Sequence, residues 1–340
     1  MKFWSRFASV VVMAVAAAVA VPSSAYSAQS KKRVHASAKK SATKPSPRAR
    51  KPARRTKARA VVRSAPRLSF GQIAGLHLTP DDADLKSAVA LVLDQETDEV
   101  LFAKNAKAVL PIASLTKLMT ALVVTEADLP LDEVLTVTQA DVDTEKGSRS
   151  RLRVGTKLTR GEMLHLALMS SENRAANALG RHYPGGLDAF VHEMNRKADE
   201  LGMSHTRYVE PTGLSSGNQS SARDLAILVK AVHEVPLIRE WSTSPEYLVD
   251  VGNRQLRYGT TNGLVRDPTW DIGLQKTGYI SEAGRCLVMQ AEMLGRKLIM
   301  VFLDSTGKYS RIGDANRMRD WLMENAMQTA SAHTAAKIAQ

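Results

Sequence analysis

Two strand-forming segments early in the chain and three late ones enclose a long stretch of helical pattern. Residues 87–93 are almost continuously apolar, and a polar turn separates them from a second strand pattern at Val100–Ala103, which predicts a hairpin. Strand patterns return at Ile272–Ile280, Arg285–Met293 and Lys297–Leu303, with helix-period segments before them at 161–180, 187–201 and 222–235 and a last helix after them at Gly313–Met327. This order predicts a mixed α/β (α+β) fold. We expect a five-stranded antiparallel sheet flanked by helices, with an inserted helical lobe at about 126–245.

The apolar run from Leu115 to Val124 is too long for a strand and is apolar on nearly all sides. It therefore predicts a helix that is buried all round. Ser114 stands directly before this run, where the helix begins.

The first residues have the layout of a secretory signal peptide. Lys2 and Arg6 precede an uncharged run from Ala8 to Val21, and small residues follow it up to Ala25. The run is shorter than the ~20 apolar residues of a membrane-spanning helix. We therefore expect cleavage after Ala25, with residues 1–25 as the signal peptide, and an exported chain that is soluble or peripherally membrane-associated.

The net charge of +13 is concentrated at the N-terminus. Residues 1–67 hold 17 Lys and Arg residues and no Asp or Glu, which leaves 30 basic and 34 acidic side chains in the remainder. The tract 26–67 has almost no large apolar residues, so we expect it to be disordered before a folded domain at 68–328 and a disordered tail at 329–340. Behind an export signal, residues 29–67 favour anionic lipid headgroups or acidic envelope polymers, or form a spacer. No nucleic-acid partner is expected.

Cysteine and histidine usage excludes several kinds of site. Cys286 is the one cysteine of the chain, so an intrachain disulfide is impossible, and its apolar neighbours predict a buried strand residue. No pair of the eight histidines has metal-ligand spacing on one element. No Gly-x-Ser-x-Gly elbow supports a Ser-His-Asp triad. We expect no metal and no cofactor.

The segment Ser114-Leu115-Thr116-Lys117 places a hydroxyl and an amine one helical turn apart. A serine hydroxyl becomes a nucleophile when a base takes its proton. A lysine can be that base when burial or a nearby cation lowers its pKa. Ser-x-x-Lys also occurs at Ser37, Ser41 and Ser305, but Ser114 alone precedes a buried helix.

Two further motifs carry polar groups that suit such a site. Ser171-Glu172-Asn173 follows an apolar stretch, so it lies at a helix end or in a loop, where its hydroxyl can relay a proton and its amide can hold a carbonyl. Lys276-Thr277-Gly278 lies in a late strand. Lys276 would supply a second cation, Thr277 can bind a carboxylate, and Gly278 lets a substrate backbone approach closely.

The order Ser-x-x-Lys, Ser-x-Asn, Lys-Thr-Gly resembles that of the penicillin-recognising serine acyl-transferases. The surrounding residues at 111–120, 169–176, 210–215 and 273–279 are similar to those of the low-molecular-mass class C type-7 penicillin-binding proteins, which are periplasmic D-alanyl-D-alanine endopeptidases. The resemblance covers roughly residues 85–325. It implies a β-lactamase/transpeptidase-like fold, a periplasmic location, peptidoglycan peptides as substrates and β-lactams as inhibitors.

The resemblance also implies roles for single residues. Ser114 would be the acylated nucleophile and Lys117 its general base, with Ser171 and Asn173 relaying protons and positioning the substrate. Lys276 and Thr277 would bind the substrate carboxylate beside Gly278, and the backbone N–H groups of Ser114 and Tyr279 would form the oxyanion hole. Arg285, on the next strand, is either a further carboxylate contact or a surface residue.

The same site could serve a D-alanyl-D-alanine carboxypeptidase instead of an endopeptidase. The chain has no Glu-x-x-Leu-Asn segment to supply a deacylating base, and Glu210-Pro211-Thr212-Gly213 does not match one, so penicilloyl-enzyme should hydrolyse slowly. The residues after Gly278 provide two strands and a helix, which leaves no room for an additional C-terminal β-domain and favours the endopeptidase. An alternative of another class is a non-catalytic envelope protein that binds through its basic tract.

Overall fold

A five-stranded antiparallel sheet forms the central layer of the protein. The computed structural model describes residues 67–252 and 254–338, with side chains as far as residue 328. In chain order the strands are β1 (Ser87–Asp94), β2 (Val100–Lys104), β3 (Leu110–Pro111), β4 (Val134–Thr136), β5 (Lys157–Thr159), β6 (Gln219–Ser220), β7 (Glu246–Asp250), β8 (Gln255–Gly259), β9 (Asp271–Ile280), β10 (Gly284–Met293) and β11 (Arg296–Ser305). The central sheet has the order β2-β1-β11-β10-β9, which confirms the prediction that the two early strands join the three late ones.

Helices cover both faces of the sheet. They are α1 (Phe70–Ile73), α2 (Lys117–Glu126), α3 (Arg160–Met169), α4 (Asn173–Arg181), α5 (Gly186–Glu200), α6 (Ala222–His233), α7 (Pro236–Ser242) and α8 (Ser310–Ile338). On one face, Leu91 and Val301 join the core that contains α2 to α6. On the other face, Val92 and Phe302 pack with Met318 of α8. Because both faces are covered, β1 is apolar along almost its whole length instead of alternating with polar residues.

The predicted helical block is present, with one interruption. The segment 161–180 forms two helices, α3 and α4, because the chain turns at Ser171, whose φ of 61° lies in the left-handed region. The buried helix after Ser114 is also present as α2, of which residues 117–124 are buried. It begins at Lys117, and Ser114 lies in a 3-10 turn, Ala113–Thr116, that leads into it.

Three two-stranded sheets were not predicted. They pair β3 with β6, β4 with β5, and β7 with β8. The first two are only two or three residues long, too short to show an alternating pattern, and their pairing joins distant parts of the chain. The loop after β8 brings Thr261 toward β9, so the unpredicted β7–β8 hairpin helps to shape the site.

The C-terminal helix is longer than predicted. We expected the helix to end at Met327, but α8 continues to Ile338. The disordered tail expected at 329–340 stays a prediction. The segment contains several alanines and no glycine or proline, so its intrinsic preference is helical.

Residues 1–66 lie outside the described residues, and the predicted signal peptide and most of the basic tract fall there. The proposed domain boundaries therefore stay predictions. Within the described part of the chain, no helix is both long enough and apolar enough to cross a membrane.

Candidate active site

Ser114 lies at the junction between the sheet and the helical layer. It belongs to the 3-10 turn before α2, and the preceding Ala113 has a φ of 49°. Gly213 packs so closely on this turn that a Cβ would lie 1.9 Å from the Ala113 carbonyl oxygen. The turn is thus held by a contact that only glycine permits, and this fixes the Ser114 hydroxyl in a cavity of about 420 Å³.

Lys117 is fully buried and points back toward Ser114. Its Nζ lies 2.9 Å from Ser114 Oγ, 2.8 Å from Asn173 Oδ1 and 2.6 Å from the Thr212 carbonyl oxygen. Burial lowers the pKa of Lys117 to about 8, while the negative charges of Glu210 and Glu172 act in the opposite direction. About a tenth of this side chain is therefore a neutral amine near pH 7, and a neutral amine can accept the hydroxyl proton of Ser114.

The Ser171-Glu172-Asn173 motif faces Ser114 across the cavity. The left-handed conformation of Ser171 ends α3, and Glu172 caps α4 by accepting a hydrogen bond from the Arg174 N–H. As a result Asn173 is the first residue of α4. Its side-chain Oδ1 accepts a hydrogen bond from Lys117 Nζ, and its side-chain Nδ2 donates to Ser148 Oγ at 3.0 Å. Both predicted residues of this motif line the cavity.

The Lys276-Thr277-Gly278 motif lies on β9, the edge strand of the sheet beside Ser114. Lys276 is fully buried and its Nζ lies 2.8 Å from Ser171 Oγ, which joins the second and third motifs. Burial lowers the pKa of Lys276 well below its ordinary value, and the positive charge of Lys117 lowers it further. Lys117 therefore acts on the ionisation of Lys276, and the role of Lys276 as a second cation that lowers the pKa of Lys117 stays a prediction. Hydrogen bonds connect Ser114 to Lys117 and Lys117 to Asn173. A second hydrogen-bonded pair, Lys276 and Ser171, lies in the same site.

Gly278 and Tyr279 form the part of β9 nearest to Ser114. A Cβ on Gly278 would lie 3.0 Å from the backbone nitrogen of Ser114, so the absent side chain lets the strand approach the nucleophile turn. Tyr279 lines the cavity and is 55% exposed. Ser114 and Tyr279, the two residues whose backbone N–H groups are predicted to form the oxyanion hole, therefore line the same cavity.

Arg285, for which a carboxylate contact and a surface position were both open, is not among the residues that line the cavity. Its guanidinium lies 4.5 Å above the ring of Tyr279, and its Nε donates to the Lys308 carbonyl at 3.0 Å. The basic residue that lines the cavity at this end is Arg311, which donates from Nη1 to the Gly278 carbonyl at 2.7 Å. Arg311 lies in the first turn of α8. Its place at the cavity therefore depends on the packing of α8 on the sheet and could not be predicted from the sequence.

Three polar residues of the cavity that lie in loops were not predicted from the sequence. Thr261 lies 2.6 Å from Thr277, hydroxyl to hydroxyl, and Ser148 holds Asn173. Lys146 reaches across the mouth of the cavity to Glu282, with Nζ 2.7 Å from Oε1. None of these residues stands in a motif, and each is far in sequence from the residue that it contacts. The complete lining is Ser114, Lys146, Ser148, Ser171, Asn173, Leu214, Thr261, Thr277, Gly278, Tyr279, Ile280, Ser281 and Arg311.

The lone cysteine lies opposite Gly278 on the neighbouring strand, but it is not among the residues that line the cavity. Cys286 is buried on β10, as predicted, and burial raises the pKa of its thiol to about 12. It is a structural side chain, since a thiol with such a pKa stays protonated at neutral pH.

Comparisons with known proteins agree with this geometry. A family model described as peptidase S11, D-alanyl-D-alanine carboxypeptidase, matches residues 77–307. The chain is 51% identical over 245 residues to a D-alanyl-D-alanine endopeptidase of Pseudomonas aeruginosa, covering 72% of this chain and 79% of the relative. It is 45% identical over 246 residues to one of Escherichia coli, with the same shares covered.

Solved structures show the same fold. A D-alanyl-D-alanine carboxypeptidase from Mycobacterium tuberculosis superposes with a TM-score of 0.65 at 26% identity, covering 72% of this chain and 94% of that one. Penicillin-binding protein D2 from Listeria monocytogenes, in its cefotaxime-bound form, gives 0.63 at 30% identity and covers 71% and 98%.

Proposed function

The chain belongs to the peptidase S11 family of D-alanyl-D-alanine carboxypeptidases, and on this basis we propose that it is a serine endopeptidase that hydrolyses D-alanyl cross-links in peptidoglycan. Membership of the family confirms the resemblance drawn from the three motifs. It also makes the chain a hydrolase of D-alanyl peptides. The observation that carries the proposal is the 2.9 Å contact between Ser114 Oγ and the buried amine of Lys117, at the wall of an open cavity.

Acylation follows from the position of these groups. The neutral amine of Lys117 takes the proton of Ser114, and the oxygen attacks the carbonyl carbon of the D-alanine that donates the cross-link. Negative charge then develops on the carbonyl oxygen, where the N–H groups of Ser114 and Tyr279 are available to stabilise it. When the tetrahedral intermediate collapses, the C–N bond breaks and the leaving amine receives the proton that Lys117 took, passed on through the hydroxyl of Ser171, which Lys276 contacts. Lys117 is then a neutral amine again.

Hydrolysis of the acyl-enzyme completes the reaction. Water adds to the ester carbonyl and loses a proton to Lys117, and the ester oxygen leaves as the Ser114 hydroxyl. Asn173 and Thr277 hold the substrate during both halves of the reaction, the first through its amide and the second through its hydroxyl. All of these groups are side chains or backbone of this chain, so the cycle needs no further group.

The relatives in Pseudomonas aeruginosa and Escherichia coli favour the endopeptidase over the carboxypeptidase, because both carry the endopeptidase name. The complete Ser114, Lys117 and Asn173 network argues against the alternative of a non-catalytic envelope protein. We propose that β-lactams acylate the same serine. We further propose that residues 1–25 direct export of the chain to the periplasm and that residues 29–67 contact anionic material of the envelope.

One experiment separates the two activities. Purified protein is incubated with a cross-linked muropeptide dimer and, separately, with a monomeric pentapeptide, and both are followed by mass spectrometry. We expect the dimer to fall to monomers while the pentapeptide persists. Loss of terminal D-alanine from the pentapeptide with an intact dimer would overturn the endopeptidase assignment. Ser114→Ala should abolish both reactions.

A further inference from the structure

An ion pair joins the two walls of the active-site cavity at its mouth. Lys146 belongs to the loop before β5 and lines the cavity, while Glu282 lies in the turn between β9 and β10. The Lys146 Nζ atom is 2.7 Å from Glu282 Oε1, and the two side chains are 26% and 19% exposed. The pair is therefore partly withdrawn from water, where a change of partner has a larger effect than on the open surface.

Both ends of this ion pair stand on a fixed backbone. Asp143 accepts hydrogen bonds from the backbone N–H groups of Lys146 at 2.9 Å and of Ser148 at 2.6 Å. The Glu282 carbonyl accepts one from the Phe70 N–H at 2.9 Å. The two charged groups can therefore exchange partners while the walls that carry them stay in place.

The carboxylate of Glu282 is charged but incompletely satisfied. The hydrogen bond from Lys146 holds the pKa of Glu282 below its ordinary value, against the effect of burial, and the positive charge of Arg67 lowers it further. The other carboxylate oxygen, Oε2, is buried and accepts no hydrogen bond from the described residues. A buried acceptor without a partner costs free energy, so the present pairing with Lys146 leaves Glu282 open to a better partner.

The acyl part of a substrate should run along β9 toward this ion pair. β9 is the edge strand of the central sheet, so an extended peptide can add to it as a further strand. If Thr277 holds the carboxylate of the leaving residue, the acyl part extends the other way, from Tyr279 past Ser281 to Glu282. This path is three residues of chain, or about 10 Å, which a D-alanine and the amine side chain of the residue before it can span.

A cross-linked substrate offers an amine at this place. The cross-link joins an amino group of one stem to a D-alanine of the other, and because the stems are alike, the stem that supplies the D-alanine carries the same amine in its free form. The contact of Lys146 shows that an alkyl ammonium group fits against Glu282 at the cavity. A displaced Lys146 would keep a partner, since Glu145 Oε1 lies 3.8 Å from its Nζ.

We propose that Glu282 binds the free side-chain amine of the residue that precedes the cross-linking D-alanine, and that Lys146 occupies this position until the substrate displaces it. The ion pair thus selects among substrates, because a stem without the amine gives Glu282 no replacement for Lys146. The inference rests on the proposed function and assigns a specificity site within it.

The test compares two muropeptide dimers that differ only at this amine. Both have a diamino acid before the cross-linking D-alanine, and its side-chain amine is free in one dimer and acetylated in the other. The value of kcat/KM is measured for each dimer with the unaltered chain, Glu282→Gln and Lys146→Met. Lys230→Met and Asp98→Asn are the controls, because they break an ion pair of the same 2.7 Å length whose residues do not line the cavity. Labelling by a fluorescent penicillin verifies that every variant is folded.

The two partners of this ion pair should give opposite results. We expect the unaltered chain and the controls to favour the free-amine dimer roughly fivefold or more. Glu282→Gln should reduce this preference to less than about twofold, since it removes the anion. Lys146→Met should increase the preference, since it removes the competing cation and leaves the charge of Glu282 without a partner.

A preference that survives Glu282→Gln, or that disappears in Lys146→Met as well, would overturn the inference. Equal losses for both dimers in the two variants would also overturn it, because the ion pair would then only tie the loop to the turn. Failure of the proposed function would look different, since the unaltered chain would cleave neither dimer. The two states of the amine are then compared in monomeric pentapeptides, with the same expected and contrary results.

Discussion

The hydroxyl of Thr261 lies 2.6 Å from the hydroxyl of Thr277, although the two residues come from different strands and loops. Either hydroxyl can be the donor, and the hydrogen bond holds the Thr277 side chain in place where it lines the cavity. A substrate carboxylate that binds Thr277 would therefore meet a hydroxyl that is already oriented. Thr261 is thus a positioning residue for the proposed carboxylate site.

Thr261→Val removes this hydroxyl and keeps the shape of the side chain. Loss of one hydrogen bond of about 1 kcal/mol should reduce kcat/KM roughly five- to tenfold, mainly through a higher KM. Thr260→Val is the matched control, because among the contacts described the hydroxyl of Thr260 bonds only to the backbone of Asn262. Equal kinetics for the two variants would show that Thr277 needs no such orientation.

The rate of acylation should follow the ionisation of Lys117. Burial holds the pKa of this amine at about 8, and the base must be neutral to act. Acylation by a penicillin should therefore rise about tenfold per pH unit on the acid side and level off above about pH 8. Stopped-flow measurement of labelling between about pH 5.5 and 9.5 provides the profile. A rate independent of pH over that range would exclude Lys117 as the base.

Glu210 should tune that profile from outside the cavity. Its carboxylate accepts hydrogen bonds from the backbone N–H groups of Thr212, Gly213 and Ser215 and from the Asn218 amide, and its charge raises the pKa of Lys117. Glu210→Gln removes the charge, so the acid limb of the profile should move to lower pH.

A control variant and the rate of penicilloyl-enzyme hydrolysis test whether Glu210 acts only through its charge. Glu172→Gln is the control, since the Glu172 charge acts on Lys117 in the same direction but less strongly. Hydrolysis of the penicilloyl-enzyme should stay slow in the unaltered chain and in Glu210→Gln alike, because Glu210 is occupied within its own loop. Rapid turnover of penicillin that Glu210→Gln abolished would instead assign it as a deacylating base.

Local sequence spacing explains why much of this site could be predicted. Ser114 and Lys117 are one turn apart, so their contact depends only on a helical conformation, and the apolar run after Ser114 predicts both the helix and its burial. The strands could be predicted for a similar reason, since long apolar runs bounded by turns are a local signal. The contact of Lys276 with Ser171 spans 105 residues and was not predicted, although the family resemblance assigned both residues to one site.

Residues that reach the cavity through packing could not be predicted in this way. Arg311 lies on α8 and Thr261 follows the β7–β8 hairpin, and neither stands in a motif. Arg285 was a candidate because it is on the strand next to β9. In the structure its guanidinium turns to Tyr279 and Lys308 instead. A residue on the strand next to β9 thus does not have to line the cavity, because the surrounding structure sets the direction of a long side chain.

Replacement by glutamine should lower kcat/KM strongly at Arg311 and hardly at all at Arg285. Arg311 lines the cavity beside Thr277, where its guanidinium can bind the carboxylate of the leaving residue. Loss of a charge-assisted hydrogen bond of about 1.5–3 kcal/mol should lower kcat/KM by roughly 10- to 100-fold in Arg311→Gln. Arg285→Gln should stay within about twofold, because its contacts are with Tyr279 and the Lys308 carbonyl.

A substrate with a blocked carboxylate distinguishes binding from damage to the fold. Arg311 also donates to the Gly278 carbonyl, so Arg311→Gln could weaken β9 and slow every substrate equally. If the guanidinium binds the carboxylate, the loss should be large for an acyl-D-alanyl peptide with a free C-terminus and small for its C-terminal amide. Equal losses for the two peptides would mean that Arg311 supports β9 and does not bind the substrate. In that case recognition of the carboxylate would fall to Thr277 and Lys276.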